Sequence, residues 1–265
     1  MKSSNTHFSL AFIVLLLSTL ACNFGKSAAP TEIPGDVSDI NPSIADTPQE
    51  GENQTTNFCA NPYLPVVVGA TWNYDLKGPI PDTYTHTILS VEADKFVEQD
   101  VFNSGVTRQA EWKCENGNLI ALNPSGGNTS NVTTEGLESN FETTELTGVT
   151  LPAVINPGDT WSQSLTLVGT QSLNGIEVPT SNQLTSDCTA VGLETVTVTA
   201  GTFDAMRVDC HTIMHLTVTM SGNPFETTLD LNGTNLYAIK VGIVKSSTIG
   251  SGLDSTVELL SYNIP

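Results

Sequence analysis

From Cys59 onward, apolar and polar residues alternate with a period of two along most of the chain. Val106, Arg108, Ala110, Trp112 and Cys114 share one phase, and Thr107, Gln109, Glu111 and Lys113 the other. The longest run is the clearest. Met206, Val208, Cys210, Thr212, Met214, Leu216, Val218 and Met220 fall on one face; Ala205, Arg207, Asp209, His211, Ile213, His215, Thr217 and Thr219 fall on the other. Phe225, Thr227, Leu229 and Leu231 repeat the pattern against Glu226, Thr228 and Asp230. Such alternation sets one face on a core and one in water, as in antiparallel sheet. Turn residues punctuate the runs at Asn103-Ser104-Gly105, Glu115-Asn116-Gly117-Asn118, Ala200-Gly201, Ser221-Gly222-Asn223-Pro224 and Asn232-Gly233. The pattern predicts an all-β domain over residues 58–265. It would be a single curved antiparallel sheet or open barrel of roughly ten to twelve strands. At most one short helix is expected. Glu135, Glu138, Glu142 and Glu145 recur at helical spacing around Leu137 and Phe141, which reads as a short amphipathic helix or a long loop.

An internal echo is superimposed on this pattern. Leu64-Pro65 leads to Gly69-Ala70-Thr71-Trp72, and Leu151-Pro152 leads to Gly158-Asp159-Thr160-Trp161. Both mark the start of a strand with an inward Trp. The echo fits two similar half-sheets from a duplication, and equally fits convergent chemistry at two strand starts. Residues 195–199 and the run from Phe203 form a hairpin around Ala200-Gly201. The apolar phase slips along the first of these strands: Val191 and Leu193 are odd, Val196 and Val198 even. A bulge near Glu194 would account for the slip.

The N-terminus changes the picture from a plain globular domain to an exported one. Lys2 precedes an apolar run of 13 residues, Phe8 to Leu20. That is too short to span a bilayer and right for a signal h-region. Ser18-Thr19-Leu20-Ala21-Cys22 resembles the lipobox of bacterial lipoproteins, which implies a signal peptide over 1–21, cleavage before Cys22 and acylation of Cys22. Residues 22–57 carry Pro30, Pro34, Pro42 and Pro48 among polar and acidic residues. They are expected to form a disordered acidic tether with a reach of about 30–35 Å. The expected site is therefore outside the cytoplasm, on a bacterial membrane, held through the lipid on Cys22.

The whole chain has a formal charge of −19. Cleavage removes Lys2 and no acid, leaving 28 acidic side chains, the remaining eight basic ones and a net of about −20. Such a surface repels phosphate backbones and anionic lipids, which excludes nucleic acid as a partner and leaves membrane affinity to the anchor. Setting Cys22 aside leaves Cys59, Cys114, Cys188 and Cys210, enough for two disulfides in an oxidising compartment with three connectivities open. No Cys-x-x-Cys, His-Glu-x-x-His, Gly-x-Ser-x-Gly, Ser-x-x-Lys or phosphate-loop motif is present, so no catalytic residue, metal or cofactor is assigned. His211 and His215 have zinc-like spacing only on a helix. On a strand they lie about 13 Å apart and face solvent. The acids from Glu135 to Glu145 are a candidate for weak cation binding or a solvated face. Trp72, Tyr74, Trp112 and Trp161 sit on apolar phases and are expected in the core.

Several strings carry a wider resemblance. They are Cys59-Ala60-Asn61-Pro62-Tyr63-Leu64-Pro65, Gly69-x-x-Trp72-x-Tyr74, Trp112-x-Cys114 and Pro157-Gly158-Asp159-Thr160-Trp161. To these add Thr199-Ala200-Gly201-Thr202-Phe203, Gly242-Ile243-Val244-Lys245 and Glu258-Leu259-Leu260-Ser261-Tyr262. Together they resemble a family of bacterial secreted lipoproteins without characterised function, over essentially all of 59–265. More distantly they resemble the curved half-barrel of the LolA/LolB-type lipoprotein carriers. Cys59 and Cys114 lie inside the motifs and Cys188 and Cys210 between them, so the resemblance favours the pairs Cys59–Cys114 and Cys188–Cys210. The hairpin register, with a bulge, is compatible with the second pair. These readings converge on a tethered, non-enzymatic binding or structural module. Met206, Met214, Leu216 and Met220 form its candidate ligand-facing surface for a hydrophobic ligand, because Met lines adaptable surfaces. The rival classes are a carboxylate-based hydrolase of cell-surface polymers and a protein-interaction scaffold.

Overall fold

The computed structural model describes residues 58–123 and 131–265. The signal, Cys22 and the tether lie outside the described residues. Thirteen strands form a single antiparallel sheet: β1 (Thr71–Lys77), β2 (Asp82–Val91), β3 (Lys95–Phe102), β4 (Thr107–Glu115), β5 (Asn118–Ala121), β6 (Asn131–Thr134), β7 (Leu137–Gly148), β8 (Thr160–Leu173), β9 (Ile176–Val198), β10 (Gly201–Met220), β11 (Asn223–Ala238), β12 (Gly242–Ile249) and β13 (Ser255–Asn263). Their order is β3-β2-β1-β13-β12-β11-β10-β9-β8-β7-β6-β4-β5. Pairing of β3 with β4 closes twelve of the strands into a barrel and leaves β5 as an extra strand on β4. No helix crosses the sheet among the described residues.

The segment expected as helix or loop is strand β7. Ser139 and Phe141 point inward and are buried, while Glu138, Glu142 and Glu145 are exposed. A register shift between Thr143 and Glu145 inserts one residue at Thr144. The bulge turns a spacing of two into a spacing of three, so an alternating strand imitates helical periodicity. A second bulge explains the phase slip in β9. Gly201 pairs with Val198 and Arg207 with Gly192, but Val208 pairs with Ala190. The turn is therefore Thr199-Ala200 and the extra residue is Val191, three positions before the expected Glu194. With that offset Cys210 falls opposite Cys188, and the two are disulfide-bonded.

The echo is a repeated turn. Ala70 N–H donates to Val67 O and Asp159 N–H to Asn156 O, with Gly69 (φ 80°) and Gly158 (φ 92°) at the third position. A hydrogen-bonded turn that needs positive φ there is type II, which glycine adopts without penalty. Gly69 N–H then donates to Ile88 O on β2, and Gly158 N–H donates to Ala190 O on β9. Each turn thus pins the start of a strand to its hairpin partner, yet both belong to one ring.

Inward residues form two apolar clusters. The larger is built on Trp72, Ile88, Phe96, Leu119, Val208, Val244 and Leu259. The smaller holds Phe141, Leu165, Leu167, Leu184 and Met214. A strap, residues 58–70, crosses the turns at the end of the barrel beside the larger cluster. Cys59 is bonded to Cys114. Phe58 N–H donates to Ala93 O, Asn61 Nδ2 to Gly117 O (2.8 Å) and Pro152 O (3.1 Å), and Tyr63 Oη to Ile155 O (3.2 Å). Lys240 N–H donates back to Pro62 O.

Candidate functional site

Two features of the interior depart from a plain apolar core. The first is an ion network carried by β2, β3 and β4. Along β3, Phe96, Glu98, Asp100 and Phe102 all point inward and are buried. Two carboxylates on an apolar phase need partners, because an isolated buried charge costs several kcal/mol. His86 of β2 lies between them, with Nδ1 2.8 Å from Asp100 Oδ1 and Nε2 3.5 Å from Glu98 Oε2. Arg108 of β4 donates from Nη2 to Asp100 Oδ2 at 2.8 Å and lies over the Phe102 ring, 4.6 Å from its centroid. Trp72 packs on the imidazole, with ring centroids 5.3 Å apart.

Burial works against charge on His86, but Glu98 and then the Asp100 hydrogen bond outweigh it, so its pKa stands above the ordinary histidine value. Burial would raise the Asp100 pKa, yet the His86 hydrogen bond and the His86 and Arg108 charges hold it below the usual carboxylate range. Burial and the facing carboxylates push Tyr74 and Tyr84 up. Burial and Glu98 push Tyr237 up to about 12.

The second feature is a polar layer between the two apolar clusters. Register places Gln163, Ser186 and Thr212 side by side on β8, β9 and β10, next to Cys188 and Cys210. Ser186 and Thr212 hydroxyls are 2.9 Å apart, and Thr150 bonds Gln163 Oε1 at 2.8 Å. Gly233 of β11 lies opposite Cys210 and Thr248, where any other residue would project a side chain inward. The result is a partly open cavity of about 280 Å³ whose wall includes Thr150, Ser186, Thr212, Asn235, Tyr237 and Thr248.

The four candidate ligand-facing residues are not brought together. Met206 is buried in the larger cluster, and Met214 and Leu216 belong to the smaller. Met220 is exposed where β10 turns into β11. None of the four lines this cavity. Trp72 and Tyr74 are buried, and Trp112 and Trp161 pack half-buried on the larger cluster. His211 and His215 face solvent, bonded to Asp230 and Thr228. Glu142 and Glu145 border an open depression of about 400 Å³. Among the described residues no three His, Cys, Asp or Glu side chains are placed to hold a metal. The ion network was missed by reading strands for apolar phase alone. Its signal is present, in Glu98 and Asp100 sharing a phase with Phe96 and Phe102.

Comparison of the sequence with protein families and with curated proteins yields no match. Comparison with solved structures finds similar chains. A Parabacteroides distasonis protein described as a lipoprotein superposes with a TM-score of 0.51 at 15% identity, covering 77% of this chain and 99% of its own. This chain has that lipoprotein's fold. A Bacteroides fragilis protein described as exported and of YmcC-like fold gives a TM-score of 0.48 at 15% identity, over 77% of this chain and all of its own. The hypothetical lipoprotein YmcC of Escherichia coli gives 0.36 at 14% identity, over 80% of this chain and 91% of its own.

Proposed function

We propose that this chain is an exported lipoprotein, anchored by a lipid on Cys22 and carrying its barrel on an acidic tether. The barrel acts as a binding module and not as an enzyme. The observation that carries the reading is the combination of a lipobox-like Ser18-Thr19-Leu20-Ala21-Cys22 with a barrel whose fold matches that of a lipoprotein. The non-enzymatic part draws support from the interior carboxylates. Asp100 is engaged by His86 and Arg108, and both it and Glu98 are buried away from solvent, which is not the arrangement a hydrolytic carboxylate pair needs. With Met206 and Met214 packed inside clusters, the cavity beside the Cys188–Cys210 disulfide is the place for a ligand.

Membrane fractionation of the full chain and its Cys22→Ser variant tests the anchor. The expected result is that the variant leaves the membrane fraction as a folded, disulfide-bonded protein. Retention of Cys22→Ser in the membrane would overturn the anchor, since a barrel with 22 acidic and 7 basic side chains over 58–265 has no affinity for anionic lipid.

A further inference from the structure

The cavity between the two apolar clusters has a composition that selects its occupant. We infer that it binds a neutral, hydroxyl-bearing small molecule of about the size of one hexose. This inference rests on the reading of the barrel as a binding module and names its ligand class.

Three observations carry it. First, the void is widened at one position. Gly233 stands on the inward phase of β11 between Cys210 and Thr248, its backbone is not left-handed, and a Cβ there would meet nothing closer than 3.9 Å. A side chain is therefore tolerated at this position, and its absence widens a cavity of about 280 Å³. That is at the lower edge of the roughly 300–1,000 Å³ of small-molecule sites, which sets the size of the occupant. Second, no Asp, Glu, Lys, Arg or His lines it. A charged ligand would lose its hydration with no counter-charge, and Glu98 acts on Tyr237 in the same wall, which disfavours an anion further. Third, the wall is rich in uncommitted polar groups. Asn235, Ser246 and Thr248 make no side-chain hydrogen bond among the described residues. A purely apolar occupant would strip water from these groups and replace none of their bonds. A polyol satisfies them, while Val149, Leu231 and Tyr237 accept its C–H surface.

Saturation-transfer NMR on the full chain in detergent tests this with D-glucose and myo-inositol, against D-gluconate as the charged control and 1-hexanol as the apolar one. Transfer to glucose or inositol is expected, with little to gluconate or hexanol. Gly233→Val, which puts an apolar side chain into the void, and Thr248→Val, which removes one hydroxyl at constant shape, should each weaken polyol binding at least tenfold. Both variants should keep the wild-type disulfides and circular dichroism. Polyol binding equal in wild type and Gly233→Val would place the ligand elsewhere and overturn the inference. Binding of hexanol alone would overturn the polyol class and leave the binding-module reading standing. Binding of no probe would overturn both.

Discussion

His86 shows how one side chain can be a stability element without showing in a hydropathy pattern. It sits between Glu98 and Asp100, and Arg108 completes the charge balance. Its pKa is raised in the folded chain by these carboxylates despite burial. A group whose pKa is higher folded than unfolded contributes stability that is fully present below the unfolded value, about 6.5, and is lost as pH rises through the folded one. Asp100 is the opposite case. Its contribution is present above the ordinary carboxylate value and is lost as pH falls through its depressed one. The barrel should therefore lose denaturant resistance on the alkaline side, starting above about pH 6.5. In His86→Gln, which keeps a hydrogen-bond donor without the charge, that slope should be flat. Urea midpoints measured from pH 5 to 9 decide it, and parallel slopes in the two proteins would show that His86 is not the titrating group. The sequence holds the ingredients of this network as Tyr84, His86, Glu98, Asp100 and Arg108, but on three separate strands. Only strand register brings them together, and register depends on turns and bulges that composition does not encode.

At the scale of elements, the alternation of β10 was legible over most of its twenty residues, although Ala205, read as a wet-face residue, is buried beside Met206 near the hairpin. Where the sequence misled, a bulge was the cause. Thr144 in β7 made outward acids look helical, and Val191 in β9 moved the hairpin register away from the one its turn implies. The two Gly-x-Thr-Trp strings were legible as strand starts, and the structure adds that they are the same turn making the same bonds to β2 and β9. This equivalence has a consequence. An added Cβ meets nothing within 4 Å at Gly69 or at Gly158, so substitution by Ala costs only the left-handed backbone, about 1–2 kcal/mol. Gly69→Ala and Gly158→Ala should each lower stability by that amount, and the double variant should show their sum because the turns share no partner. Chemical denaturation of the three variants checks this. A cost at only one position would mean that the two turns are not mechanically equivalent.

At the scale of the molecule, the two disulfides do different work. Cys188–Cys210 links neighbours in the longest ladder of the barrel, where β9 and β10 are already paired from Val198–Gly201 to Thr180–Val218. Cys59–Cys114 ties the strap to β4, and the strap in turn bridges the β2–β3 and β11–β12 connections with one hydrogen bond each and the β4–β5 and β7–β8 connections with two each. The loops closed are 22 and 55 residues in sequence separation, for which chain entropy gives about 3 and about 4 kcal/mol. Replacing Cys188 and Cys210 by Ala should lower stability by about the smaller amount and leave local protection unchanged, since the ladder remains. Replacing Cys59 and Cys114 should cost about the larger amount and should also free the strap below the global transition, because scattered hydrogen bonds and packing, not a continuous ladder, hold it to the sheet. Hydrogen exchange read at Phe58, Tyr63, Gly117 and Lys240, whose amides bond along or across the strap, separates the two effects. Faster exchange at these amides in the second variant alone is the expected result. Equal protection in both variants would show that the strap is held by its packing against the larger apolar cluster and that the Cys59–Cys114 bond acts only through the unfolded chain.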